Sequence, residues 1–265
     1  STLSEIASRN EDPEVKRFGW LKAAQLQDTQ LQDLEAAIVS YGHILESEPG
    51  DLPVLQALES LHRRAERWGD LLVVLKQRAD LSTDLREKEG LLSEMAAIYD
   101  RRLGQPDKSI ECFQTLLQVD PTNLRALVAL DELYERQEAW PELAENIERY
   151  VALSEDPQER ASLMLRLADL RVKRLNAVDV AIDTYREVLD RDPQNSAALR
   201  ALEEVAAHHP EHEVMVCEIL EPIYRQAGDV HRVIAVHEMQ IRHSQHAERT
   251  LELLHRIAQL QEDAL

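Results

Sequence analysis

Three acid–proline pairs, Glu48-Pro49, Asp120-Pro121 and Asp192-Pro193, stand 72 residues apart in a chain of 265. Laid on itself at that spacing, the chain aligns Ala24, Ala96 and Ala168 in one column and Tyr41, Phe113 and Tyr185 in another. Leu55, Leu127 and Leu199 form a third, with Leu58, Leu130 and Leu202 beside it. Within each period these apolar positions fall three or four residues apart, which puts them on one face of a helix, and proline or glycine falls between the segments. In "PDKSIECFQTLLQVDP" the stripe is Ile110, Phe113 and Leu117. Each period has room for four helices of about 14 residues, each ~21 Å long. Helices this short do not stand alone, so antiparallel neighbours must cover their stripes and stack into an elongated array with a continuous core. The spacing predicts an all-α chain of about 14 helices joined by short turns. It also predicts that Phe113, in an aromatic column, is a core residue.

Composition agrees and narrows the partners. Seven glycines and two phenylalanines are few, and the chain is rich in the residues that helices prefer. Fifty acidic against thirty basic residues give a net charge of −20. That charge repels a nucleic-acid backbone or an anionic membrane face and favours basic partners. No apolar stretch reaches the ~20 residues of a membrane span, and the first residues lack the apolar core of a signal peptide. Cys112 and Cys217 are the only cysteines. In an array whose units touch only their neighbours they lie too far apart to bridge, so two free thiols and a cytoplasmic location are expected.

Leu92, Met95, Ala96 and Tyr99, followed by Ser109, Phe113, Leu116 and Pro121, resemble the tetratricopeptide repeat, as do Met164, Leu167 and Ala168 followed by Ala181, Tyr185, Val188 and Pro193. Leu127, Leu130 and Tyr134, with Leu143 and Ile147, form a more degenerate copy. It departs from the family at Asp131, in one column with Glu59 and Glu203, where the family keeps a small residue for close helix contact. The resemblance, to long arrays of bacterial type, implies a right-handed superhelical solenoid of antiparallel helix pairs over residues 1–265. Its super-repeats would run over about 13–84, 85–156 and 157–228. Ser4 to Ser8 match the last turns of a second-type helix, and the final segment matches a first-type helix without its partner, so a fragment of a longer array is expected.

The same resemblance implies a protein-interaction scaffold that binds an extended peptide or helix along a concave face lined by first-type helices. The lining positions are Gln25, Asp28, Ser60, Arg63, Ala97, Asp100, Glu132, Glu135, Asp169 and Val172, with Leu165 as an apolar anchor. None of them is Lys or Asn, which the family's clamp for a C-terminal carboxylate requires, and a basic or amphipathic partner is the expectation. No oligomeric state follows. Neither a Gly-rich phosphate loop nor a nucleophile elbow occurs, so no enzyme activity and no cofactor are expected. The alternative is a regulatory or sensor segment, responsive to pH or a ligand, of a larger enzyme or signalling protein.

The period breaks once. Tyr134 finds its later counterpart at Tyr224 and Ala168 at Ala258, both 90 residues on, so 18 extra residues, about one helix, fall within 195–227. Eight of the ten histidines follow residue 207. His208, His209 and His212 are the metal candidates, but no cysteine pair or carboxylate stands at ligand spacing, and no metal is expected. Trp68 and Trp140 share a column and read as packing residues rather than as an exposed ledge.

Overall fold

The computed structural model describes residues 5, 8, 9, 12–244 and 246–263. Most of the segment from Ser4 to Ser8 therefore lies outside the described residues. Among the described residues there are fourteen α-helices, one short 3₁₀ turn and no strand. The first period holds α1 (Pro13–Thr29), α2 (Leu34–Ser47), α3 (Leu52–Arg64) and α4 (Trp68–Leu81). The second holds α5 (Leu85–Arg101), α6 (Pro106–Val119), α7 (Leu124–Arg136) and α8 (Trp140–Leu153). Then come α9 (Pro157–Lys173), α10 (Val178–Arg191) and α11 (Ser196–His208), the 3₁₀ turn Pro210–His212, α12 (Glu213–Ala227), α13 (Val230–His243) and α14 (Ala247–Asp263).

Helix starts recur because their caps recur. Asp12, Asp84 and Asp156 each accept a backbone N–H two residues on, at 2.9, 2.9 and 3.0 Å, and each opens a helix of 17 residues. Asp51, Asn123 and Asn195 accept from the backbone three residues on and open the 13-residue helices. Such caps satisfy N–H groups that the helix leaves unpaired. The acid–proline pairs do the complementary task at the other end of the turn. Asp120 accepts from the Thr122 N–H at 3.1 Å, the Thr122 hydroxyl at 2.8 Å and the Asn123 amide at 3.3 Å. These bonds, the Thr122 hydroxyl first, hold its carboxyl below the usual range. Asp192 repeats the pattern with Gln194 and Asn195, whereas Glu48 receives Arg17 at 3.1 Å. An acid, a proline and a capping Asp or Asn thus end one helix, break the chain and start the next.

Another turn column is held in the left-handed region: Gln32, Gly104 and Asn176 have φ of 52°, 61° and 52°. Only glycine adopts this without cost. A Cβ added at Gly104 meets nothing within 4 Å, so Gly104→Ala is expected to cost about 1 kcal/mol, from backbone conformation alone. Urea unfolding measures it, and a loss several times larger would mean that the methyl meets a neighbour.

The chain divides into two compact units, Ser1–Leu133 and Tyr134–Leu265. In the first, Trp20, Ala24, Tyr41, Ile44, Leu55 and Leu58 form one core. In the second, Ala168, Ile182, Tyr185, Leu189, Leu202 and Leu220 do the same, with Val233 and Val236 extending it. The alanine column is 0% exposed at all three positions, where helices approach too closely for a larger side chain. One position of the apolar columns departs from expectation. Phe113 is only half-buried whereas Tyr41 and Tyr185 are buried. Both cysteines are buried as free thiols, and burial pushes each up to about 11, which leaves them unreactive at neutral pH.

Candidate interaction surface

The first-type helices carry the expected lining residues. In the first unit Gln25, Ser60, Arg63 and Glu132 are exposed, and Asp28, Ala97 and Asp100 are half-buried. Asp28 receives Arg64 at 2.5 Å. Arg63 spans Glu59 at 2.8 Å on its own helix and Glu94 at 2.5 Å on α5. Arg78 on α4 also reaches Glu59, and it meets Glu87 at 2.6 Å. Burial lowers the guanidinium's affinity for its proton, and the hydrogen bonds it donates to Glu59 and Glu87 outweigh that and raise its pKa. Glu132 makes no ion pair with a described residue.

In the second unit Glu135 is exposed and receives Arg166 at 3.1 Å. Leu165, Asp169 and Val172 are half-buried. Asp169 accepts from Lys173 at 2.5 Å and from the Tyr185 hydroxyl at 2.6 Å. Several acids that read as open charge in the sequence are therefore held by arginine and lysine from positions outside the lining set. Two pairs repeat with their signs exchanged. Arg63 and Glu94 stand 72 residues before Glu135 and Arg166, so the column that is basic in one period is acidic in the next. The exchange is visible in the sequence only once the two columns are known to touch.

Two of the three acids found where the family keeps a small residue serve the neighbouring helix. Glu59 meets Arg78, Glu203 accepts the Tyr224 hydroxyl at 2.6 Å, and Asp131 is buried. Trp68 and Trp140 are half-buried with Arg102 and Arg174 above their rings at 4.9 and 4.8 Å. Each is a packed ring with a cation on its open face, not a bare ledge.

Leu165 lies on the wall of a cavity of about 800 Å³ between α9, the end of α10 and the start of α11. Met164, Leu165 and Val188 give it an apolar floor, and Glu155, Arg160, Arg191, Asp192 and Gln194 a polar rim of both signs. The Arg160 Nε is enclosed without a hydrogen-bond partner. Such a site takes an apolar group and offers a donor beside it.

At the break in the period, α11 ends at His208, and the 3₁₀ turn leads into α12. His208 Nδ1 lies 2.8 Å from the Glu204 carbonyl, His209 Nδ1 3.4 Å from Glu211, and His212 Nδ1 2.9 Å from Asp179. Among the described residues no three His, Cys, Asp or Glu side chains gather as a metal would need.

Two segments match models of the tetratricopeptide repeat, residues 91–123 and 162–195. No curated protein sequence matches the chain. Among solved structures, a tetratricopeptide repeat protein from Parabacteroides merdae is similar at 16% identity, with 93% of this chain and 87% of that one covered and a TM-score of 0.37. YrrB, a TPR protein with an unusual peptide-binding site, is similar at 13% identity over 77% of this chain and 98% of its own, with a TM-score of 0.36. The complex of Naa15/Naa10 bound to HypK-THB gives 15% identity, 92% and 45% coverage, and a TM-score of 0.42. The matched segments fall on the hairpins α5–α6 and α9–α10, where the aligned alanine and aromatic columns lie, and these two hairpins are tetratricopeptide repeats.

Proposed function

We propose that the chain is a protein-interaction scaffold whose second unit receives an apolar side chain of a basic, amphipathic protein segment in the cavity beside Leu165. The observation that carries this reading is the cavity itself, with half-buried Leu165 on its wall, Met164 and Val188 behind it, and polar groups around its rim. An amphipathic helix or strand presents that combination, an apolar anchor flanked by polar groups. The net charge of −20 supports a basic partner. So does Glu135, an exposed carboxylate of the second unit. Intramolecular pairs such as Glu135 with Arg166 are exposed, and exposed pairs contribute only ~0.2–1 kcal/mol, so a partner's basic groups exchange for them at little cost. The reading assigns no catalytic step.

A fluorescently labelled amphipathic peptide of leucine and arginine, and its counterpart of leucine and glutamate, test it by anisotropy. The basic peptide is expected to bind, more weakly as salt is raised. Leu165→Asp should lower its affinity by roughly tenfold or more, since it puts a charge in the apolar floor. Glu135→Lys should weaken binding without changing the unfolding midpoint. Equal affinity for the two peptides, or indifference to Leu165→Asp, overturns the reading.

A further inference from the structure

A segment of the kind that the cavity beside Leu165 would receive occurs in the chain itself. Residues 15–22, VKRFGWLK, hold three bases and no acid. They form part of α1, where Trp20 is buried in the core of the first unit while Phe18 is left outside it, 60% exposed, with Val15 one turn earlier at 41%. Lys22, one turn later, holds its ammonium 5.7 Å from the centre of the Phe18 ring. It makes no ion pair with a described residue, whereas Arg17 is held by Glu48 at 3.1 Å and by Asp51. Val15, Phe18 and Lys22 recur at three and four residues and so share one face of the helix, with Glu14 at its start. That face is an aromatic anchor between an acid and a base.

The cavity matches it in size and in sign. Its volume of about 800 Å³ has room for a phenyl ring. Small side chains give it that room, since Ser196 and Ala197 line it where Leu124 and Arg125 stand one period earlier. On its rim Arg160 donates to the Ser154 carbonyl and Arg191 to Glu187 at 2.7 Å, so both bases are engaged. The acids of the rim have no such cation. Glu155 is exposed without an ion pair to a described residue, and the Asp192 carboxylate accepts from the neutral groups of Gln194 and Asn195. The charge left open around the apolar floor is therefore negative, and a base beside an aromatic anchor answers it.

We propose that a second copy of this chain is the partner: Phe18 of one copy enters the cavity of the next, and Lys22 meets Glu155. This rests on the reading of that cavity as a receptor for an apolar anchor flanked by basic groups. Release of the exposed ring from water and the approach of a base to an open acid favour the same contact. The two surfaces differ, so the contact is heterologous, and each copy at the end of an assembly keeps either a free Phe18 or a free cavity unless the assembly closes.

Sedimentation equilibrium of the 265-residue chain tests it. Association is expected to grow with protein concentration and to weaken as salt is raised. Phe18→Asp should weaken it by roughly tenfold or more at an unchanged unfolding midpoint, because the side chain it replaces is exposed. Lys22→Glu should weaken it less, and Leu165→Asp should weaken it from the receiving side. Phe18→Asp keeps its cavity and Leu165→Asp keeps its Phe18, so an equal mixture of the two should form a heterodimer that grows no further. The labelled peptide of leucine and arginine separates this proposal from the reading it rests on. If the peptide binds to a chain that stays monomeric to millimolar concentration, the cavity serves a foreign segment and self-association is overturned while the scaffold reading stands. Association that survives Phe18→Asp, that Leu165→Asp leaves intact as a pairing of two Phe18 faces would, or that the mixture fails to restore also overturns the proposal.

Discussion

Tyr185→Ala is expected to lower the stability of the second unit by about 4 kcal/mol, the largest loss foreseen for a single side chain here. Tyr185 is 1% exposed and packs among Ala181, Ile182, Leu189 and Leu202 of one core. Its removal leaves a cavity that closely packed helices fill only in part. A smaller component is polar. The hydroxyl donates to Asp169 at 2.6 Å, and Tyr185→Phe, which keeps the ring, should cost only about 1 kcal/mol because half-buried Asp169 regains water. Phe113→Ala, in the same column but half-buried, should cost about 2 kcal/mol. Urea unfolding measures all three. Equal losses at Phe113 and Tyr185 would mean that column membership, and not actual burial, sets the energy.

Glu59→Ala should cost about 2–3 kcal/mol although its neighbour Arg63 is a surface residue. The reason is Arg78, whose side chain is only 12% exposed and which faces both Glu59 and Glu87. With Glu59 gone, the guanidinium keeps Glu87 but loses its more enclosed acceptor, and its burial is no longer fully compensated. Adding Arg78→Leu removes the stranded charge, so the double variant should recover much of the loss. Unfolding midpoints for the two single variants and the double variant give the coupling directly. Additive losses would mean that water reaches Arg78 and the pair contributes little.

The helices were legible because burial on a short helix repeats every three or four residues and the whole pattern repeats every 72. The turns were legible too, since Glu48-Pro49, Asp120-Pro121 and Asp192-Pro193 break the chain at one offset, although the caps at Asp12, Asp84 and Asp156 were not read from it. Individual burial was not. Phe113 shares its column with two buried tyrosines, yet a column averages three environments and does not resolve one of them. The surface proved harder still. Arg64 and Asp28 are 36 residues apart, Arg63 and Glu94 31, and no periodicity within a helix links such positions. An acid at a lining position therefore reads as open charge in the sequence even where a basic residue from elsewhere holds it. The extent of the cavity beside Leu165 was not legible either, because it depends on which side chains leave space between three helices.

The exchanged signs of Arg63–Glu94 and Glu135–Arg166 bear on how such a chain avoids folding wrongly. Periods this alike invite α3 to dock where α7 belongs, a slip of one whole period that preserves the apolar columns almost unchanged. That slip would set Arg63 beside Arg166, and the reciprocal one would set Glu135 beside Glu94. Like charges in contact repel, and in a misregistered array they would do so while the apolar faces remain satisfied. The hydrophobic stripes make the periods interchangeable, and the reversed ion pair gives each an address.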